Sequence, residues 1–167
     1  MKRVIVIGCG GAGKSTFSKN LSNKLDIPVY HLDKFFWNKG WVSTPKDEFD
    51  NKITELINKD KWIIDGNFIR TLDKRAERAD TIIFINMPTH ICFYRIMKRR
   101  IIYRGKSRPD MAEGCPEGID FEFFKWVLTY NKKIRPKILK KLSEYKDKDV
   151  VILNSKKEVK QFIEKSV

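Results

Sequence analysis

Cysteine is scarce in this 167-residue chain: Cys9, Cys92 and Cys115 are far apart and form no C-x-x-C pair. That pattern excludes a disulfide framework and offers no zinc-ligand spacing, so a reducing cytoplasm is the simplest setting. Long apolar runs are missing as well. No stretch approaches the roughly 20 residues of a membrane helix, and the first residues lead into a core strand without an apolar signal region, so no membrane association is expected. The two histidines, His31 and His90, have no partner pattern for metal binding or nucleophilic catalysis and read as structural. Repeats and low-complexity tracts are absent, as are helix-turn-helix, RNP and finger signatures.

Acidic residues are missing from residues 89–109, and the chain as a whole has 35 Lys and Arg against 21 Asp and Glu, a formal charge of +14. Such a field attracts phosphate-rich ligands, whether nucleotides, nucleic acid or an anionic surface. Part of the surplus lies in Arg95, Lys98, Arg99, Arg100, Arg104, Lys106 and Arg108. Arginine's planar fork matches phosphate geometry and suits a transferring phosphoryl group. The later Lys132, Lys133, Arg135, Lys137, Lys140 and Lys141 read as solvated helix faces. At 41% hydrophobic content the chain can bury one substantial core, which predicts one domain over residues 1–167.

Gly8-Cys9-Gly10-Gly11-Ala12-Gly13-Lys14-Ser15, followed by Thr16, matches the phosphate-loop pattern G-x-x-x-x-G-K-[ST]. An apolar strand precedes it and a helix pattern with Phe17, Leu21 and Leu25 on one face follows. Glycines let successive N–H groups and the helix N-terminus approach phosphate oxygens. Lys14 is then placed for the β- and γ-phosphates and the Ser15 hydroxyl for Mg²⁺.

Five apolar runs, at residues 4–7, 28–32, 62–64, 81–85 and 150–153, alternate with helix patterns at 15–25, 45–58, 72–78, 88–103, 121–145 and 156–165. This predicts an α/β fold, a parallel sheet with helices on both faces. Pro136 predicts a kink or break in the fifth helix. Residues 104–118, with Gly105, Pro109, Gly114, Pro116 and Gly118, deny regular structure and read as a functional loop, often a lid.

In open parallel sheets the ligand crevice lies at the carboxyl ends of the strands, where Asp33 and Asp65 fall. Asp65 is the candidate for Mg²⁺ or its water shell, and Asp33 for accepting a proton from a substrate hydroxyl or orienting the acceptor. Either is also suited to capping the next turn. Phe35, Phe36, Trp37 and Trp41 follow closely; they suit stacking of a flat substrate or packing of the next helix against the sheet.

The chain resembles the adenylate-kinase-related family of small nucleoside and nucleotide kinases, and most closely the group labelled DNA topology modulation proteins (FlaR type). The likeness is carried by the loop at 8–16; His31-Leu32-Asp33 with Phe36-Trp37; Gly40-Trp41; Thr44-Pro45; Asp65-Gly66-Asn67-Phe68; Arg95 and Arg99; and Leu153-Asn154-Ser155 with Glu158. It implies a three-layer α/β/α P-loop NTPase fold, a five-stranded sheet of order 2-3-1-4-5, and a lid at about 104–118. Carried across, Arg95 and Arg99 lie at the base of the lid, Arg104 and Arg108 on it, and Asn154, Ser155 and Lys156 beside the adenine. Adenylate kinases have Asp-Gly-Phe-Pro-Arg after the third strand. Here the segment is Asp65-Gly66-Asn67-Phe68-Ile69-Arg70, so Arg70, a substrate-binding candidate with Phe36 and Trp37, falls one residue later. With only Cys115 in the lid, a zinc lid is not expected.

The reading is therefore a kinase that transfers the γ-phosphoryl of MgATP to a small acceptor: a nucleoside, a nucleotide or a similarly polar metabolite. Lys14, Asp33, Asp65, Arg95, Arg99, Arg104 and Arg108 are the catalytic candidates. The alternatives are a nucleic-acid-associated regulator that binds ATP, for which weak, non-specific DNA binding is the expected counter-result, and an ATP-binding protein without catalysis.

Overall fold

The structure, a computed structural model, describes residues 1–106, 108–116 and 120–166. Its core is built on β1 (Arg3–Gly8), β2 (Val29–His31), β5 (Trp62–Asp65), β6 (Thr81–Ile85) and β7 (Asp149–Leu153). These five strands are parallel throughout and lie in the order β2-β5-β1-β6-β7. Counted by sequence within this sheet, the order is 2-3-1-4-5. Val4 pairs with Ile63, Ile5 with Ile82 and Phe84 with Ile152. Helices cover both faces, so the central strands are apolar at every position rather than alternately: Val4, Ile5, Val6, Ile63, Ile64, Ile82, Ile83 and Phe84 are all 0% exposed. At about 1.5–3 kcal/mol per fully buried side chain, this layer is the main source of stability.

The helices are α1 (Lys14–Leu25), α2 (Leu32–Phe36), α3 (Lys46–Ile57), α4 (Leu72–Arg78), α5 (Thr89–Ile102), α6 (Phe121–Lys133), α7 (Arg135–Glu144) and α8 (Lys156–Lys165). The pattern at 121–145 is two helices rather than a kinked one. The break falls at Ile134, and Pro136 sits in the first turn of α7, where its missing N–H breaks no intrahelical bond. Asp120 starts α6 by accepting the Phe123 N–H at 3.0 Å. Ser155 and Glu158 exchange bonds at the start of α8, a reciprocal capping box.

Periodicity gave no sign of α2, which has only five residues, or of the hairpin formed by β3 (Trp37–Asn38) and β4 (Val42–Ser43). Side-chain bonds hold this unit: Thr44 Oγ1 donates to the Phe35 carbonyl at 2.9 Å and accepts from Asn38 Nδ2 at 3.1 Å. Within the expected irregular stretch, residues 107, 117 and 118 lie outside the described residues; the others form turns, bends and irregular backbone, with an isolated β-bridge at Arg104 and no helix. No helix among the described residues is long and apolar enough to cross a membrane.

Candidate functional site

The phosphate loop joins β1 to α1 at the centre of the sheet. At its end Gly13 takes φ 99°, and α1 begins with no side-chain cap on its N-terminus. The first N–H groups of α1 are therefore left for an anion, favoured there by the helix dipole. Gly11 (φ 75°) is packed so tightly that a Cβ would lie 2.3 Å from the Cys92 carbonyl oxygen of α5. Behind the loop, Arg95 Nη1 donates to the Ala12 carbonyl at 2.7 Å and to Gly11 at 3.3 Å. Arg95 thus braces the loop as well as lining the cleft. Lys14 Nζ donates to the Cys9 carbonyl at 3.1 Å.

A second brace comes from the turn after β5. Asn67 Oδ1 accepts the Gly8 N–H at 3.0 Å. Arg75, wholly buried, fixes that turn by donating to the carbonyls of Thr71, Gly66 and Phe68 at 3.4, 3.2 and 2.9 Å. Burial lowers its pKa to about 10. Arg75 was not singled out in the sequence, because α4 shows only an ordinary basic residue.

In front of the loop lies a cleft of about 1520 Å³. Gly10, Gly11, Gly13, Lys14, Ser15 and Thr16 form one wall, and His31, Asp33, Trp37, Trp41 and Phe68 line it on the side of α2 and the hairpin. Arg99, Arg108 and Asp110 line it as well. Asp33 is mostly enclosed; burial raises its pKa, Lys14 opposes the rise, Asp65 adds to it and Arg108 opposes it. These influences place Asp33 in the field of the loop lysine.

Asp65 is 3% exposed, and its Oδ2 pairs with His31 Nδ1 at 2.8 Å. Burial works against the imidazolium, but the hydrogen bond and charge of Asp65 outweigh it, and the His31 pKa is raised. His31 therefore has the charged partner that the sequence did not reveal, and it stands in the cleft wall where Asp65 does not. Asp110 is the other residue missed. Its carboxylate pairs with Arg108 Nη1 at 3.1 Å and faces the Ser15 side of the cleft. Burial raises its pKa, but Arg108, Ser15 and Arg99 outweigh that, and the net direction is downward. Only the fold brings Asp110 beside the loop.

Several expected site residues lie elsewhere. Arg70 is held by both oxygens of Asp50, each at 2.7 Å, on an exposed surface. The one-residue shift noted in the sequence places it in a 3₁₀ turn against α3 rather than in the cleft. Phe36 packs against Phe49, Phe68 and Trp37, with centroids 4.8–5.2 Å apart, and belongs to the core edge. Arg104 is exposed and does not line the cleft. Asn154, Ser155 and Lys156 also lie outside its lining. Their strand, β7, is at the sheet edge, two places from β1, and Asn154 Oδ1 is engaged by Asn86 Nδ2 at 2.7 Å.

The uncapped helix start and the cations Lys14, Arg99 and Arg108 fit a polyphosphate. Among the described residues no group of three or more His, Cys, Asp or Glu is arranged to hold a metal ion.

No protein-family model matches the chain. Among curated proteins it is 27% identical to a shikimate kinase of Leptospira biflexa over 68% of this chain and 74% of the relative. It is 24% identical to an adenylate kinase of Clostridium beijerinckii over 67% and 68%. Among solved structures, a shikimate kinase from Bacteroides thetaiotaomicron superposes with a TM-score of 0.58 at 18% identity, covering 98% of this chain and 94% of that one. A deoxyadenosine kinase from M. mycoides gives a TM-score of 0.53 at 17% identity, covering 96% and 94%. The chain has the three-layer α/β/α fold, with its five-stranded parallel sheet, of the P-loop kinases.

Proposed function

We propose that the protein is a phosphotransferase that moves the γ-phosphoryl group of ATP to a hydroxyl of a small acceptor. The observation that carries this reading is the meeting of an uncapped helix start and Lys14 with an enclosed carboxylate, Asp33, in one cleft. When bound, MgATP supplies the reactive phosphoryl group and a balancing cation. Loop N–H groups and Lys14 hold the phosphates, and Ser15 is the side chain placed for the metal. Asp33 accepts the proton of the acceptor hydroxyl as that oxygen bonds to phosphorus. Arg99 and Arg108 neutralise charge in transfer, Arg95 keeps the loop in shape, and Asp65 acts by orienting His31 rather than by touching the metal.

Distant relatives named for shikimate and adenylate support the reaction class more than any one acceptor. With Arg70 committed to Asp50, the cleft suits a non-phosphorylated alcohol, such as a nucleoside or a polar ring metabolite, better than a nucleoside monophosphate. The 104–118 segment acts as the lid, Asn154 to Lys156 approach the base of the nucleotide, and three free buried cysteines fit a reducing cytoplasm. The likeness to the FlaR-type group belongs to this reading as a kinship among kinases.

ATP consumption measured against a panel of nucleosides, nucleotides and small hydroxylated metabolites tests it. Turnover with at least one member, lost in Lys14→Ala, is expected; ATP binding without turnover on any acceptor would refute the transfer reaction.

A further inference from the structure

The hairpin β3–β4 and the segment 108–116 are far apart in the chain, yet three hydrogen bonds join them. The Gly40 N–H donates to the Gly114 carbonyl at 2.9 Å, the Trp41 indole N–H to the Pro116 carbonyl at 3.1 Å, and the Cys115 thiol to the Asn38 carbonyl at 3.1 Å. Cys115 is 1% exposed in this contact. Gly114 lies so close to Lys39 that a Cβ would meet its Cγ at 2.5 Å. Trp41 itself takes φ 63°, one of two non-glycine residues in the left-handed region among those described. A bulky residue stays there only where its surroundings over-determine it. Here the bond to Pro116 and the edge contact with Trp37, at 5.5 Å between centroids, do so.

Both joined pieces carry wall of the cleft. Trp37 and Trp41 line it from the hairpin, and Arg108 to Met111 line it from the other segment. The second piece also faces the phosphate loop: Asp110 and Ser15 line the same cleft, and the Ser15 hydroxyl helps to hold the Asp110 carboxyl pKa down. A connected path therefore runs from Ser15 through Asp110 to Pro116, across to Trp41, and on to Trp37 on the Asp33 side of the cleft.

We infer that the hairpin and segment 108–116 form a single roof, with Trp41 as a positioning residue whose bond to Pro116 transmits the state of the phosphate loop to the acceptor side of the cleft. The inference rests on the reading of the loop as a nucleotide site. In thermodynamic terms, nucleotide and acceptor are coupled ligands: binding of either at its own end stabilises the roof that the other also uses.

The test is hydrogen exchange followed by mass spectrometry on the full chain, with and without AMP-PNP and Mg²⁺, with nucleotide affinity measured separately by calorimetry. In the parent protein, AMP-PNP should slow exchange about fivefold or more in peptides covering 108–116 and in those covering 37–44. Trp41→Phe keeps a ring against Trp37 and removes the donor. In this variant the 108–116 effect should persist while the hairpin effect falls below about twofold. Cys115→Ala, which removes a different bond of the same joint, should weaken the hairpin response in the same direction. A hairpin that ignores AMP-PNP in the parent, or responds as strongly in both variants, overturns the inference. Failure of AMP-PNP to bind the folded parent, which calorimetry registers on its own, overturns the nucleotide reading and the coupling with it.

Discussion

Replacing Asp33 by Asn keeps the shape of the side chain and removes its charge, which separates chemistry from architecture. The carboxyl is enclosed in the cleft, and burial raises its pKa against the opposing pull of Lys14. A positioned general base contributes about 10²–10⁴ in rate, so kcat should fall by that factor while AMP-PNP affinity stays within about threefold. The pH profile gives a second readout. Only the ionised carboxylate accepts a proton, so parental activity should decline as pH falls through the raised pKa, and the variant should lack this acid limb.

Linkage gives the sign for stability. A folded-state pKa above the unfolded value means that the folded protein holds its proton more tightly, and this contribution is present at low pH and lost as pH rises through the folded pKa. At neutral pH the buried charge is a cost, and Asp33→Asn should raise Tm, by about 2–4 °C for each 1 kcal/mol recovered. Coupled ADP-release kinetics and thermal melts between pH 4 and 8 read both effects, as chosen assay conditions on the order of the relevant titrations. A variant with parental kcat and an unchanged acid limb would refute the base assignment.

Lys14→Ala should lower kcat/KM by about 10²–10³ with little change in Tm, since its hydrogen bond in the fold is the one to the Cys9 carbonyl; kinetics and calorimetry check this. Arg75→Met removes the donor to the Gly66 carbonyl, whereas Phe68 keeps the Thr71 N–H and hydroxyl as donors. At about 1–3 kcal/mol for an unsatisfied buried group, urea melts should show a loss of about 1–3 kcal/mol, and surviving folded protein should bind AMP-PNP more weakly because Asn67 no longer holds Gly8. Arg108→Ala should depress turnover at saturating ATP, whereas Arg104→Ala, on an exposed residue outside the cleft, should leave it unchanged; equal losses would contradict the geometry. Duplex DNA should bind only with a non-specific Kd of about 10⁻⁴–10⁻⁶ M and a steep salt dependence; sequence-selective binding that persists at physiological salt would favour the regulator.

The parts legible in the sequence were those encoded by neighbours in the chain. The loop pattern, the β-branched strands and the capped helices need only a window of ten or so residues to be recognised. Asp33 was visible for the same reason, just past an apolar run, although the fold puts it in the first turn of α2 rather than at a strand end. His31 and Asp65 become a pair only when β2 docks beside β5, where their positions register. Asp110 acquires meaning from Ser15, which lies almost a hundred residues earlier, on the order of separation at which no local pattern survives. Arg70 misled because motif spacing does not report which way a side chain turns, and Asp50 is an equally good partner. The joint between the hairpin and residues 114–116 was hidden twice: its hairpin is too short to leave a period, and its hydrogen bonds use backbone carbonyls that carry no sequence signature.

The placement of β1 also governs how the protein comes into being. Of the five strands of the sheet, the one synthesised first occupies the middle, and its two neighbours, Trp62–Asp65 and Thr81–Ile85, are synthesised much later. At about 5–20 residues per second, the nascent chain spends seconds with its most apolar segment unpaired. Parallel pairings of this sequence separation close slowly, and the Gly8 N–H waits for Asn67. Nucleotide affinity should therefore emerge late in synthesis, on chains extending beyond β6, which makes retention on an immobilised ATP analogue a readout of completed folding as well as of binding.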